Sequence, residues 1–254
     1  MRTVDFSTVM YRYMQLAGLD RTAITAANYA QFRDFANARL EQIWKQDYWP
    51  DLIRISDPQT VSVDGNGARI VAIPSDCGEL LSVYDQDPRV TTRARLLKYF
   101  LYSSSSGDYI NLIDTVTPVY LEYKIKAPAL FGEAYSGSTA YSIGGQMYFD
   151  TSTNSGSFTP GTAAAPAGNL YNCTVATAAG QTPLTTSTSW SKVEIPFFTS
   201  DWLARACLAD FLRSEGQFEQ AIVAENEADK ALEREVDKVL REQGQIRRAN
   251  VFTY

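Results

Sequence analysis

Charge is laid along this chain in three blocks, and that layout constrains the fold more than any motif does. From Pro128 through Trp190 the only carboxylates are Glu133 and Asp150, and lysine and arginine are absent. Residues 201–254, by contrast, carry 11 acidic and 8 basic side chains. An uncharged Ser/Thr/Gly/Ala/Tyr-rich block between charged, amphipathic ends has the form of a module inserted into a host domain. The fold class expected is therefore α+β: a helical-bundle frame with antiparallel β-strands and a small inserted β module. The frame is an N-terminal helical hairpin plus long C-terminal helices. Its boundaries fall at 1–138 and 194–254, with the insert at 139–193. A chain of 254 residues, 45% of them hydrophobic, can bury one good core and a smaller second one.

Helical spacing of Val9, Tyr13 and Leu16 predicts a first helix over Phe6–Ala17, with Gly18 as its left-handed stop. Tyr29, Phe32, Ala36, Leu40 and Ile43 mark a second helix, with Thr25 as N-cap and Pro50 as stop. Trp44, Tyr48 and Trp49 cluster at its end and read as core packing rather than a stacking platform. The period then changes to that of strands: 52–55, 60–63, 69–73, 80–84, 98–102, 109–113 and 119–125. Asp64-Gly65-Asn66-Gly67 is a hairpin turn. Along Val119–Ile125 one face is apolar and the other carries Tyr120, Glu122 and Lys124. Beyond the insert, Trp202, Leu203, Ala206, Cys207, Ala209 and Leu212 form a helix that Ser200 can cap and that breaks near Gly216. A longer helix follows over about 218–243, striped by Ala221, Ala224, Ala228, Leu232, Val236 and Val239, with Asp237 and Arg241 as an i,i+4 pair. Ile246, Arg247, Arg248, Val251, Phe252 and Tyr254 lie beyond Gly244, and the apolar groups among them want a partner surface.

A net charge of -6 argues against free-standing nucleic-acid binding, which needs a basic footprint. The absence of histidine removes His triads, His metal ligands and the commonest general base. Cys77, Cys173 and Cys207 lack paired spacing, so neither a disulfide framework nor a zinc site is signalled. Asp85 with Asp87, and Glu225 with Glu227, read as turn and surface acids. No nucleophile elbow or phosphate loop occurs. The first residues lack a signal peptide's apolar run, and no stretch has the length of apolar residues that a membrane span requires. The expectation is a non-enzyme without cofactor or metal, made in the cytoplasm.

The order of features resembles the head-to-tail adaptor (connector) proteins of short-tailed bacteriophages. It is carried by the helical hairpin ending in Leu40–Pro50, the strand entry Ile73–Tyr84, and the strand Val119–Ile125 closing at Ala127–Pro128. The terminal helices from Trp202–Ala206 through Gly216–Gln217 complete it. What the resemblance implies is a structural virion protein at the head-tail junction. It would form a homo-oligomeric ring, commonly twelve-fold, between portal and tail or nozzle proteins and line the channel for genomic DNA without sequence-specific binding. The portal-binding candidates are then Arg247, Arg248, Val251, Phe252 and Tyr254.

The insert resembles a small carbohydrate-binding module of the chitin-binding type, through Tyr141–Tyr148, Gly168–Cys173, Gly180–Pro183 and Ser189–Val193, interrupted by Thr151–Ala167. The resemblance implies glycan stacking on Tyr171 and Trp190, which alternatively fill the module's own core. A carbohydrate-binding or adhesin-like tail protein is the second reading. Replacing 139–193 by a linker is expected to leave the host domain folded if the block is a separate module.

Overall fold

A computed structural model of the protein describes residues 2–19, 26–46, 49–104, 107–149, 169–183 and 185–242; within them the architecture is mixed α+β, with four helices and mostly antiparallel sheets. The chain separates into two compact units, Met1–Asp47 with Pro128–Tyr254, and Tyr48–Ala127. The uncharged block shares a unit with the terminal helices, and the strand-rich stretch 48–127 forms the other.

In the first unit, α1 (Phe6–Leu16) buries Phe6, Val9, Met10, Tyr13 and Met14 and is followed by Gly18 at φ 67°, where a side chain would be strained. Leu16 leaves that stripe and is exposed. In α2 (Ala26–Gln46) Tyr29, Phe32, Ala36, Leu40 and Ile43 are all buried, as their spacing predicts. Tyr13 stacks on Phe32 at 4.9 Å between ring centroids, and Phe6 meets Phe32 at 5.5 Å. Thr25 and Tyr48 lie outside the described residues, while Trp44 is buried, as is Trp49 of the second unit. In α3 (Ser200–Ser214) the hydroxyl of Ser200 caps no helical N–H, because Ser200 is already the first helical residue and donates to the Phe197 carbonyl at 2.8 Å. The long α4 (Phe218–Glu242) buries Ala221, Ala224, Ala228 and Ala231 and packs chiefly on α3, whose own buried face includes Ala206, Cys207 and Ala209. Small residues on both helices let their backbones approach.

The strands of this unit explain why the uncharged block belongs with the helices. β1 (Thr3–Asp5) pairs antiparallel with β13 (Glu194–Pro196). A second sheet runs in the order β12 (Trp190–Lys192), β11 (Asn169–Cys173), β10 (Gln146–Phe149), β9 (Glu133–Ala134), and its β9–β10 pair is parallel. Every residue of β10 is buried, so both faces of that strand are covered. Met147 and Phe149 join a cluster with Tyr135, Cys173 and Trp190. Tyr148 points the other way, with its ring 4.5 Å from that of Tyr29 and 6.4 Å from that of Phe6.

Hydrogen bonds join α2 to the segment leading into β9. The Tyr29 hydroxyl donates to the Gly132 carbonyl at 2.7 Å, the Leu130 N–H donates to Asn37 Oδ1 at 2.7 Å, and the Asn37 amide returns to the Leu130 carbonyl. Gln146 continues the pattern: its Oε1 accepts from Phe131 and Gly132 N–H, and its Nε2 donates to the Ala129 carbonyl and Asn172 Oδ1. Gly132 is at a point of close approach, since a Cβ there would sit 2.7 Å from Leu170 Cδ1 and 2.8 Å from the Met147 nitrogen. Gly132→Ala is therefore expected to destabilise the protein by about 1–3 kcal/mol, read as a lower urea midpoint with an unchanged slope.

The second unit is built of β2 (Ile53–Ile55), β3 (Ser62–Val63), β4 (Arg69–Ala72), β5 (Cys77–Tyr84), β6 (Tyr99–Ser104), β7 (Gly107–Leu112) and β8 (Tyr120–Ile125). They form two antiparallel sheets, β2-β8-β5 and β3-β4-β7-β6. The β3–β4 turn is held by Asp64, whose carboxylate accepts the N–H of Asn66 and of Ala68. Gly67 supplies the left-handed residue at φ 82°. Val71, Val83, Leu97, Ile110, Leu112 and Leu121 are among its buried core residues. On the polar face of β8, Tyr120 and Glu122 are half-buried, but Lys124 is buried, which simple alternation does not anticipate.

Candidate assembly surface

The most highly charged feature inside the first unit is Arg39. It lies on the buried stripe of α2, three residues after Ala36 and four before Ile43, where a base is costly unless paired. Its guanidinium is paired twice over. Nε and Nη2 reach the two carboxylate oxygens of Asp210 on α3 at 2.7 and 2.6 Å, and Nη1 and Nη2 reach those of Glu225 on α4 at 2.7 and 2.8 Å. Arg213 closes the ring of charges, 2.9 Å from Asp210 and 2.8 Å from Glu225. Burial works against the charge on Arg39, but the hydrogen bonds it donates to both carboxylates outweigh it and hold its pKa above the ordinary range. Burial likewise raises the Glu225 carboxyl, and the bonds from Arg39 and Arg213 reverse that, leaving it below the usual value. Three helices are fastened at one point by planar, bidentate contacts that lysine cannot reproduce.

A second, more exposed set fixes α3 to its neighbours: Asp201 accepts from Arg12 of α1 at 2.7 Å, and Arg205 reaches Glu227 of α4 at 2.6 Å. The expected pair of Asp237 and Arg241 takes another form, with Arg241 Nε donating to the backbone carbonyl of Asp237 at 3.1 Å. Phe197 lies beneath two cations, Lys238 at 5.2 Å and Arg2 at 5.9 Å from its ring centroid.

With its alanine stripe used against α3, α4 turns Phe218, Ile222 and Val223 outward, at 65%, 59% and 59% exposure. The exposed polar positions described are Glu219, Gln220, Asn226, Glu227, Asp229, Lys230, Glu233, Arg234, Asp237 and Arg241. The helix as a whole carries eight carboxylates against four bases. Large apolar side chains exposed together on a charged helix make this a candidate contact surface.

Tyr171 and Trp190 lie on neighbouring strands at one cluster: Trp190 belongs to it with Tyr135, Met147, Phe149 and Cys173, and the half-buried Tyr171 packs against it. Trp190 is inside it, 7% exposed and edge-on to Tyr141 at 5.4 Å, which leaves little of either face for a sugar. Its indole N–H is buried and has no hydrogen-bond partner among the described residues. Burial raises the Tyr171 hydroxyl pKa. Arg247, Arg248, Val251, Phe252 and Tyr254 lie outside the described residues.

Cys77, Cys173 and Cys207 are buried free thiols. Among the described residues no group of acids and cysteines could hold a metal ion, and no helix is long and apolar enough to cross a membrane. Sequence reasoning passes over Arg39 and Asp210 and takes Glu225 for a surface acid. The signal available is a base at the position on α2 that the helical period assigns to the core. No protein-family model matches the chain, and no curated protein matches it either.

Proposed function

We propose that the protein is a structural virion component, a head-to-tail adaptor whose copies form a ring between portal and tail proteins around the path of the genomic DNA. The supporting observation is the state of α4. Its Glu225 fastens it to Arg39 of α2 and Arg213 of α3, and its outer side still offers Phe218, Ile222 and Val223 to solvent. A helix that is rigid on one side and apolar on the other suits contact with a second copy. The alanine stripe, which a ring reading would first assign to the neighbour, is occupied within the chain. The contact between copies is therefore drawn on the opposite side of the same helix.

Native mass measurement and negative-stain imaging of the purified chain, alone and with a candidate portal, test this reading. Closed rings support it, and a monomer under both conditions overturns it. Ile222→Asp is expected to dissociate the ring while leaving helical circular dichroism unchanged, because the side chain is exposed in the single chain. A monomer whose melting temperature rises with added chitin oligosaccharide would instead favour the carbohydrate-binding reading.

A further inference from the structure

We infer that residues 243–254 of one copy dock in a cleft of the second unit of another copy. The cleft lies where the two sheets of that unit part. Near Val83 they are joined, the Val83 carbonyl accepting from Leu97 N–H at 2.8 Å and Asp85 N–H donating to the Arg95 carbonyl at 3.2 Å. Toward Cys77 they diverge, and each sheet ends in an edge strand, β5 on one side and β6 on the other. Between them opens a space of about 610 Å³ whose walls include Glu79 and Leu80 of β5, Leu101 and Tyr102 of β6, and Asp108 and Tyr109 of β7. Two facing strand edges are the usual receptor for an added strand, in which main-chain bonds supply affinity and side-chain slots supply selectivity.

The occupant follows from charge and pattern. The lining carries the carboxylates of Glu79 and Asp108 and no lysine or arginine, so it favours a cationic segment. Residues 243–254 hold Arg247 and Arg248 and no acidic side chain. The same twelve residues include Ile246, Val251, Phe252, Thr253 and Tyr254, types that favour a pleated, half-buried strand. Leu101 and Tyr102 offer such side chains apolar surface, Leu101 at 60% exposure. The inference goes beyond the adaptor reading and does not need it, and it gives Arg247, Arg248, Val251, Phe252 and Tyr254 a partner other than the portal that the resemblance assigns to them.

The test uses the full chain with benzoylphenylalanine in place of Phe252, irradiated as a mixture of isotopically labelled and unlabelled copies. Mass spectrometry is expected to find position 252 joined to peptides spanning 73–80 or 101–109 of another copy. Glu79→Lys together with Asp108→Lys, both exposed, is expected to lower the yield roughly fivefold or more. Crosslinks confined to one copy, crosslinks to other surfaces, no crosslink, or a yield indifferent to the charge reversal would each overturn the inference. Ring formation is read separately by native mass, so the failure of either idea is distinguishable from failure of the other.

Discussion

Arg39→Ala is expected to destabilise the first unit by about 3–5 kcal/mol, because it removes the buried cation between two carboxylates and leaves them only the exposed Arg213. In a unit of this size that corresponds to a fall in melting temperature of roughly 10 °C or more. Arg39→Lys should recover only part of the loss, since an ammonium cannot bond both oxygens of Asp210 and of Glu225 at once. Replacing the three together, as Arg39→Met, Asp210→Leu and Glu225→Leu, should cost far less than the single change, because no buried charge is then orphaned. Thermal melts of the three variants decide this; a single mutant as stable as wild type would show the cluster to be indifferent. The pH dependence has a definite sign. The folded pKa of Glu225 lies below its ordinary value of 4.5, so its contribution is complete above that value and drains away as pH falls through the folded pKa. Arg39→Ala should blunt this acid sensitivity.

The second large effect is expected from replacing 139–193 with a Gly/Ser linker. A self-contained module could be removed with the helices intact. Here the replacement takes away Tyr148, whose ring completes the packing of Phe6 and Tyr29, together with the Gln146 amide that satisfies Phe131 and Gly132 N–H. It also removes β10, β11 and β12 from under the helices. Loss of most helical circular dichroism is the expected outcome, and retention of it would restore the inserted-module view. Tyr148→Ala is the milder form of the same test, with an expected cost of about 3–5 kcal/mol.

How far the sequence can be read depends on what each residue reports. Periodic apolar residues report a face, so spacing alone assigns Tyr29, Phe32, Ala36, Leu40 and Ile43 to the core, where all five lie. The turn at Asp64–Gly67 is legible because left-handed backbone there favours glycine. What the pattern withholds is the partner of that face. Charge density is a one-dimensional signal and does not report contacts. Tyr148 belongs with Phe6 through a contact spanning more than half of the chain, and nothing local marks it. The alanine stripe on α4 poses the same problem in reverse: its need for a close neighbour is visible, but whether that neighbour is α3 or another chain is not. Arg39 is hidden for a different reason. A charged residue within an apolar stripe looks like an interruption until its two acids, 171 and 186 residues further on, are brought to it.

The pairing of β1 with β13 carries a consequence for how the chain comes to be folded. Thr3 lies opposite Pro196, and the contact is reinforced by Thr3 Oγ1 donating to Glu194 at 2.7 Å and by Lys192 meeting Asp5 at 2.9 Å. During synthesis on a ribosome, the strands of Tyr48–Ala127 can therefore assemble as soon as that continuous stretch has emerged. The opening helices cannot follow suit, because their sheet and the helices α3 and α4 have yet to be translated. Loop closure over so long a separation is slow. Through that interval Phe6, Tyr13, Tyr29 and Phe32 are uncovered nascent surface, and it is there that a chaperone would have something to hold.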